Sequence, residues 1–122
     1  MLTKTEEQLM KHLWATEPCF LKDLLAALPE PKPAKTTVAT LLKRMIDKDL
    51  VGYETFGNSR RYYARITKRA YFGGKLRGMI GDFFGGSPTD LASLFVEDTD
   101  LTPDQLAELR RLLDRKLNED AD

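Results

Sequence analysis

One cysteine, one histidine and one tryptophan stand among the 122 residues, and each scarcity removes a class of protein. A lone thiol, Cys19, can close no intrachain disulfide and build no cysteine-rich zinc site, and it fits a reducing compartment. Long hydrophobic runs are missing as well. Nowhere do about eighteen apolar residues follow one another, so no membrane span is expected. The chain opens on Thr3-Lys4-Thr5-Glu6-Glu7 instead of a basic and then apolar leader, so no secretion signal is expected. Chemistry is equally thin. His12 lies beside the apolar stripe of the first helix and Cys19 follows Pro18, and no dyad motif joins them. They read as a partly buried ring and a small apolar thiol. The glycine fingerprints that cradle phosphates or dinucleotides do not occur. No catalytic residue, no cofactor and no metal site is expected, and the chain reads as a non-enzyme.

Net charge is also lacking, with nineteen Lys and Arg against nineteen Asp and Glu, but the balance hides an uneven distribution. Up to Tyr71 there are thirteen basic residues against eight acidic ones, and from Phe72 onward six against eleven. One half is suited to an anionic polymer and the other to a different task. With 42% hydrophobic and 31% charged residues, a globular chain is expected.

Thr3 and Glu6 form a capping box ahead of Leu9, Met10, Leu13 and Trp14, which predicts a first helix that stops near Thr16, before Pro18. Cys19 and Phe20 read as a short strand. Leu21, Leu24, Leu25 and Leu28 mark a second helix ending before Pro29. Alternate prolines at 29, 31 and 33 make an extended connection. The stretch from Lys35 to about Asp49 reads as a third helix with two stripes at about 100° per residue. Val38, Leu41, Leu42 and Met45 fall in one arc. Thr36, Thr40, Lys43 and Asp47 lie opposite, with Arg44 beside them. Val51 to Phe56 and Arg61 to Ile66 then read as strands of a hairpin with the basic loop Gly57-Asn58-Ser59-Arg60. Helix, short strand, helix, helix and hairpin is the order of a winged helix-turn-helix.

Past Thr67 a helix starting near Lys68 carries Phe72, Leu76, Ile80, Phe83 and Phe84, weakened by Gly73, Gly74, Gly78 and Gly81. Gly85-Gly86-Ser87-Pro88 breaks it. A short helix with Leu91, Leu94 and Phe95 follows. Thr102-Pro103-Asp104-Gln105 starts a last helix carrying Leu106, Leu109, Leu112, Leu113 and Leu117. The fold expected is mainly α with a small β-hairpin: a winged-helix domain over 1–67 and a helical domain over 68–122. Phe83, Phe84, Leu112 and Leu113 exceed what so short a region buries alone, which predicts a homodimer.

Threonines are mediocre helix formers, so Thr36, Thr37 and Thr40 on an outer face suit a helix seated in a groove, where hydroxyls meet phosphates or base edges. A solvated face with a threonine cap is the plainer reading of the same residues. Lys35, Lys43 and Arg44 surround the stripe, and Arg60 and Arg61 sit at the wing, within reach of phosphates or a minor groove. The expected DNA-binding set is thus Lys35, Thr36, Thr37, Thr40, Lys43, Arg44, Arg60 and Arg61. A winged helix that serves only as a protein-protein module is the alternative.

The run from Thr36 to Val51, the segment from Leu2 through Leu13-Trp14, the strand Arg61-Tyr62-Tyr63-Ala64, Gly85-Gly86-Ser87 with Leu94-Phe95, and Leu106-Ala107-Glu108-Leu109-Arg110 together resemble the penicillinase repressor family. The resemblance implies a bacterial, cytoplasmic repressor that binds a palindromic operator as a homodimer. It implies dimerisation through Phe72, Leu76, Ile80, Phe83, Phe84, Leu91, Leu94, Phe95, Leu109, Leu112 and Leu113. Induction through a membrane-bound sensor protease is implied too. The family's Asn-Phe cleavage bond aligns with Leu94-Phe95, with Leu94 in place of the asparagine. Asp49 stands where the family commonly has glycine. The paired cysteines of the copper-responsive branch are absent, so copper sensing is not expected.

Overall fold

Most of the helices begin where the sequence offers the backbone a substitute for the missing hydrogen bonds. In the computed structural model, which describes residues 2–121, Thr3 Oγ1 accepts from the Glu6 amide at 3.2 Å and Glu6 Oε1 accepts from the Thr3 amide at 2.8 Å. This box opens α1 (Lys4–Thr16). A two-residue strand β1 (Cys19–Phe20) leads into α2 (Leu21–Ala27), where Asp23 accepts from the Phe20 amide at 3.1 Å. Then come α3 (Lys35–Asp47), β2 (Val51–Phe56), β3 (Ser59–Ala64), α4 (Lys68–Phe83), α5 (Pro88–Asp98) and α6 (Pro103–Ala121). The strands form one antiparallel sheet in the order β1-β3-β2, with Cys19 opposite Tyr62 and Tyr53 opposite Tyr62 on the other side.

Two boundaries differ from the sequence reading. The hairpin turn is Gly57-Asn58 alone, with Gly57 at φ 61°, the two-residue turn that wants glycine first. Ser59 and Arg60 therefore belong to β3, which ends at Ala64 and not at Ile66. Helix α3 stops at Asp47 because Asp49 turns left-handed at φ 64°. The Leu50 amide then reaches the Met45 carbonyl at 2.9 Å and the Asp49 amide the Ile46 carbonyl at 2.9 Å, a Schellman ending with aspartate in the glycine position.

The chain falls into two compact units, one ending at Lys75 and the other beginning at Leu76. The junction lies inside α4 and not after Thr67, because the first turns of α4 are fastened to α1. Tyr71 Oη and Lys75 Nζ both donate to Glu7 Oε2, at 2.6 and 2.7 Å. The Tyr71 and Phe72 rings pack on Trp14, whose indole N–H donates to the Ile66 carbonyl at 2.9 Å. The core of this unit joins Leu9, Met10 and Leu13 of α1, Leu24 of α2, Val38, Leu42 and Met45 of α3, and Val51 and Tyr62 of the sheet. Leu42 is 1% exposed, so Leu42→Ala costs about 2–5 kcal/mol.

The second unit holds the remainder of α4 with α5 and α6. Gly85 and Gly86, at φ 58° and 78°, turn the chain, and Ser87 Oγ caps α5 by accepting from the Asp90 amide at 3.1 Å. Thr102 and Gln105 form the capping box of α6, at 2.9 and 3.1 Å. No described side chain beyond Tyr71 is buried. Phe83 is 80% exposed and Leu117 67%.

Candidate nucleic-acid interface

Helix α3 has one face sealed and one open. Val38, Leu42 and Met45 are buried, whereas Lys35, Thr36, Thr37, Thr40, Lys43 and Arg44 are all exposed. The α3 N-cap is Ala34, which has no side-chain acceptor, and no acidic residue sits in the first turn. The positive end of the helix dipole is therefore left uncompensated on this face. Thr40 Oγ1 donates to the Thr36 carbonyl at 2.9 Å, which fixes its rotamer and leaves its oxygen lone pairs and methyl outward. Among the described residues Lys35, Lys43 and Arg44 form no ion pair.

Both ends of α3 are held from neighbouring elements. Ahead of it, Lys32 Nζ donates to the Leu25, Ala26 and Leu28 carbonyls at 2.9, 3.2 and 2.7 Å, tying the proline connection to the end of α2. Behind it, Lys48 pairs with Glu6 Oε1 at 2.7 Å, and the Glu6 side chain is 1% exposed. Burial pushes the Glu6 carboxyl up, but hydrogen bonds from Lys48 and Thr3 outweigh it and hold the group below the ordinary carboxylate value. The neighbouring Glu7 is lowered by its bonds from Lys75 and Tyr71. Tyr71 is pushed up to about 12 by burial and by donating to Glu7.

The wing separates its two arginines, which the sequence reading had grouped. Partners across an antiparallel pair share a face. Thr55 opposes Arg60 and Tyr53 opposes Tyr62, so Arg60 lies on the face that carries buried Tyr62, with its guanidinium 4.2 Å from the Tyr53 ring centroid. Glu54 opposes Arg61, so Arg61 lies on the reverse face, 4.6 Å over the Phe56 ring and 3.5 Å from Glu54. Gly52 opposes Tyr63 across the hairpin, and a Cβ there would fall 2.6 Å from the Tyr63 ring, so the close approach requires glycine. Between the wing tip, α2 and the start of α3 runs a cleft of about 610 Å3, edged by Lys22, Lys35 and Arg60. Sequence reasoning passed over Lys22, which stands at the start of α2, the first helix of the helix-turn-helix.

In the second unit Leu76, Phe83, Leu94, Phe95, Leu112 and Leu113 are exposed, and Ile80, Phe84, Leu91 and Leu109 half-buried. Phe72, grouped with them in the sequence, makes its ring contacts with Trp14 and Tyr71 in the first unit. Leu94 and Phe95 lie mid-way along α5. Phe95, Leu101, Leu109 and Leu112 line an open groove of about 840 Å3 between α5 and α6. Elsewhere, Cys19 is buried and accepts from Thr16 Oγ1 at 3.6 Å, and burial pushes its thiol up, which makes it a poor nucleophile. No helix among the described residues is long and apolar enough to cross a membrane.

A helix-turn-helix whose second helix stands open on its polar side, followed by a two-stranded wing, makes this a winged-helix protein. The chain belongs to the penicillinase repressor family, whose sequence profile matches residues 2–115. Its general role is accordingly that of a transcriptional repressor, in a family of regulators and not of enzymes. No curated protein matches the chain in sequence.

Proposed function

We propose that the protein represses transcription by binding, as a homodimer, a palindromic operator in double-stranded DNA, with α3 in the major groove. The observation that carries this reading is the two-sided α3: sealed on Val38, Leu42 and Met45, open along Thr36, Thr37, Thr40, Lys43 and Arg44. Threonine hydroxyls and methyls suit base edges, and the flanking cations suit phosphates. The exposed apolar side chains of α4, α5 and α6 support pairing of the second units of two chains. A cytoplasmic setting follows from operator binding.

Relief of repression through a sensor protease would fall on the Leu94-Phe95 bond. That bond is inside α5, so a protease that takes extended backbone has to unwind the helix first. The decisive experiment is selection of bound duplexes from a random pool by the full chain. The expected result is a palindrome whose half-site centres lie about one helical turn, 10–10.5 base pairs, or a multiple of that apart. Recovery of no enriched sequence would overturn operator binding and leave a protein-protein role for the fold.

A further inference from the structure

Lys22, Lys35 and Arg60 come from three different elements, the start of α2, the start of α3 and β3, yet they edge one cleft. No carboxylate lines it. Among the described residues none of the three cations forms an ion pair, and the ring of Tyr53 orients Arg60 without neutralising it. Three like charges brought together without a counter-charge repel one another, and they sit in the half of the chain where basic residues outnumber acidic ones. Neutral Asn58 and Ser59 add hydrogen-bonding groups at the wing end. Phe20, Leu21, Leu25 and Tyr62 make part of the lining apolar, a low-dielectric wall that focuses the positive field outward.

From this we infer that the cleft is the seat for the phosphates of one DNA strand, with Lys22 a DNA contact, Lys35 and Arg60 its companions, and Arg61 no part of it. The inference rests on the operator-binding reading and extends it to one backbone strand. An open cleft that reaches α3 at its first residue, Lys35, suits an extended polyanion that runs past the start of the helix. Arg61 lies on the reverse face of the wing, where Glu54 already answers its charge at 3.5 Å. The wing thus has one working arginine and one that braces the hairpin.

The test is the salt dependence of binding of the full chain to a short fluorescein-labelled duplex of arbitrary sequence, read by anisotropy across a potassium chloride series. Removing one cation that touches a phosphate flattens the plot of log affinity against log salt by about one unit per bound protomer. Lys22→Gln, Lys35→Gln and Arg60→Gln are expected to flatten it by that amount, and Arg61→Gln to leave it at the wild-type slope. Circular dichroism melts confirm that each variant is folded, as its surface position implies. A wild-type slope in Lys22→Gln, with duplex binding intact, overturns the cleft as a phosphate seat and leaves the operator reading standing. A flattening in Arg61→Gln equal to that in Arg60→Gln overturns the division of the wing. Absence of salt-dependent duplex binding in the unaltered protein removes the operator reading and this inference with it.

Discussion

Asp49 holds a left-handed backbone that glycine adopts freely and other residues adopt at a cost, and its ion pair with Arg65 at 3.3 Å is exposed on both sides. Asp49→Gly is expected to stabilise the first unit by about 0.5–1 kcal/mol, measured by urea unfolding followed through Trp14 fluorescence. The helix end was visible in the sequence only as an approximate stop, and the hint of a positive φ was that Asp49 stands where the related repressors commonly have glycine. The Thr3-Glu6 box, in contrast, was legible from spacing alone. What spacing could not disclose is that Glu6 is also buried against Lys48, a partner far along the chain. Glu6 and Glu7 both sit below their unfolded values, so the stability they contribute is present above about pH 4.3 and is lost as the pH falls through the lower folded values. Tyr71 acts in the opposite direction: its contribution is complete below its ordinary value and is lost as the pH rises through about 12. Chemical denaturation across pH is expected to show both limbs. Lys48→Met is expected to cost about 1–2 kcal/mol at neutral pH, less than for a fully buried pair because Lys48 is partly exposed, and to shift the acid limb upward.

Among the elements, α3 shows how a helix can be shaped against its own stability. Thr40 is exposed and bonded only to its own helix, so Thr40→Ala is expected to raise thermal stability slightly, by about 0.5 kcal/mol, through helix propensity. The same change is expected to weaken binding to the selected operator by about 1–3 kcal/mol, with little effect on arbitrary duplex. A melt and an anisotropy titration on one preparation check both signs together. The two stripes of α3 were readable because a helix repeats at a fixed angle and the apolar arc is narrow. The wing was readable as a hairpin but not in its register. Gly57-Asn58-Ser59-Arg60 offers several turns of different length, and only the pairing of Thr55 with Arg60 and Glu54 with Arg61 decides which arginine faces which way. Lys22 went unnoticed for a related reason, since nothing local distinguishes a surface lysine that meets two other cations from one that meets water.

For the whole molecule, the uneven charge along the chain anticipated a basic first part and a different second part, and the apolar positions of α5 and α6 anticipated a surface without a partner inside one chain. The exact junction escaped because α4 is continuous across it, and only side chains reaching back to Glu7 and Trp14 show how much of that helix the first unit retains. Phe83 is the most exposed large apolar side chain of α4, and Phe83→Asp is expected to convert a homodimer to monomer in sedimentation velocity while leaving the first unit's Trp14 signal unchanged. In the proposed homodimer a second unit that encloses no described side chain of its own draws its cohesion from association, so its melting temperature is expected to climb with protein concentration while that of the first unit stays fixed. With pairing as proposed, dosage would enter the regulation directly: scarcity of copies would loosen the carboxy-terminal half and open it to degradation, so that the population would thin itself below a threshold and hold firm above it.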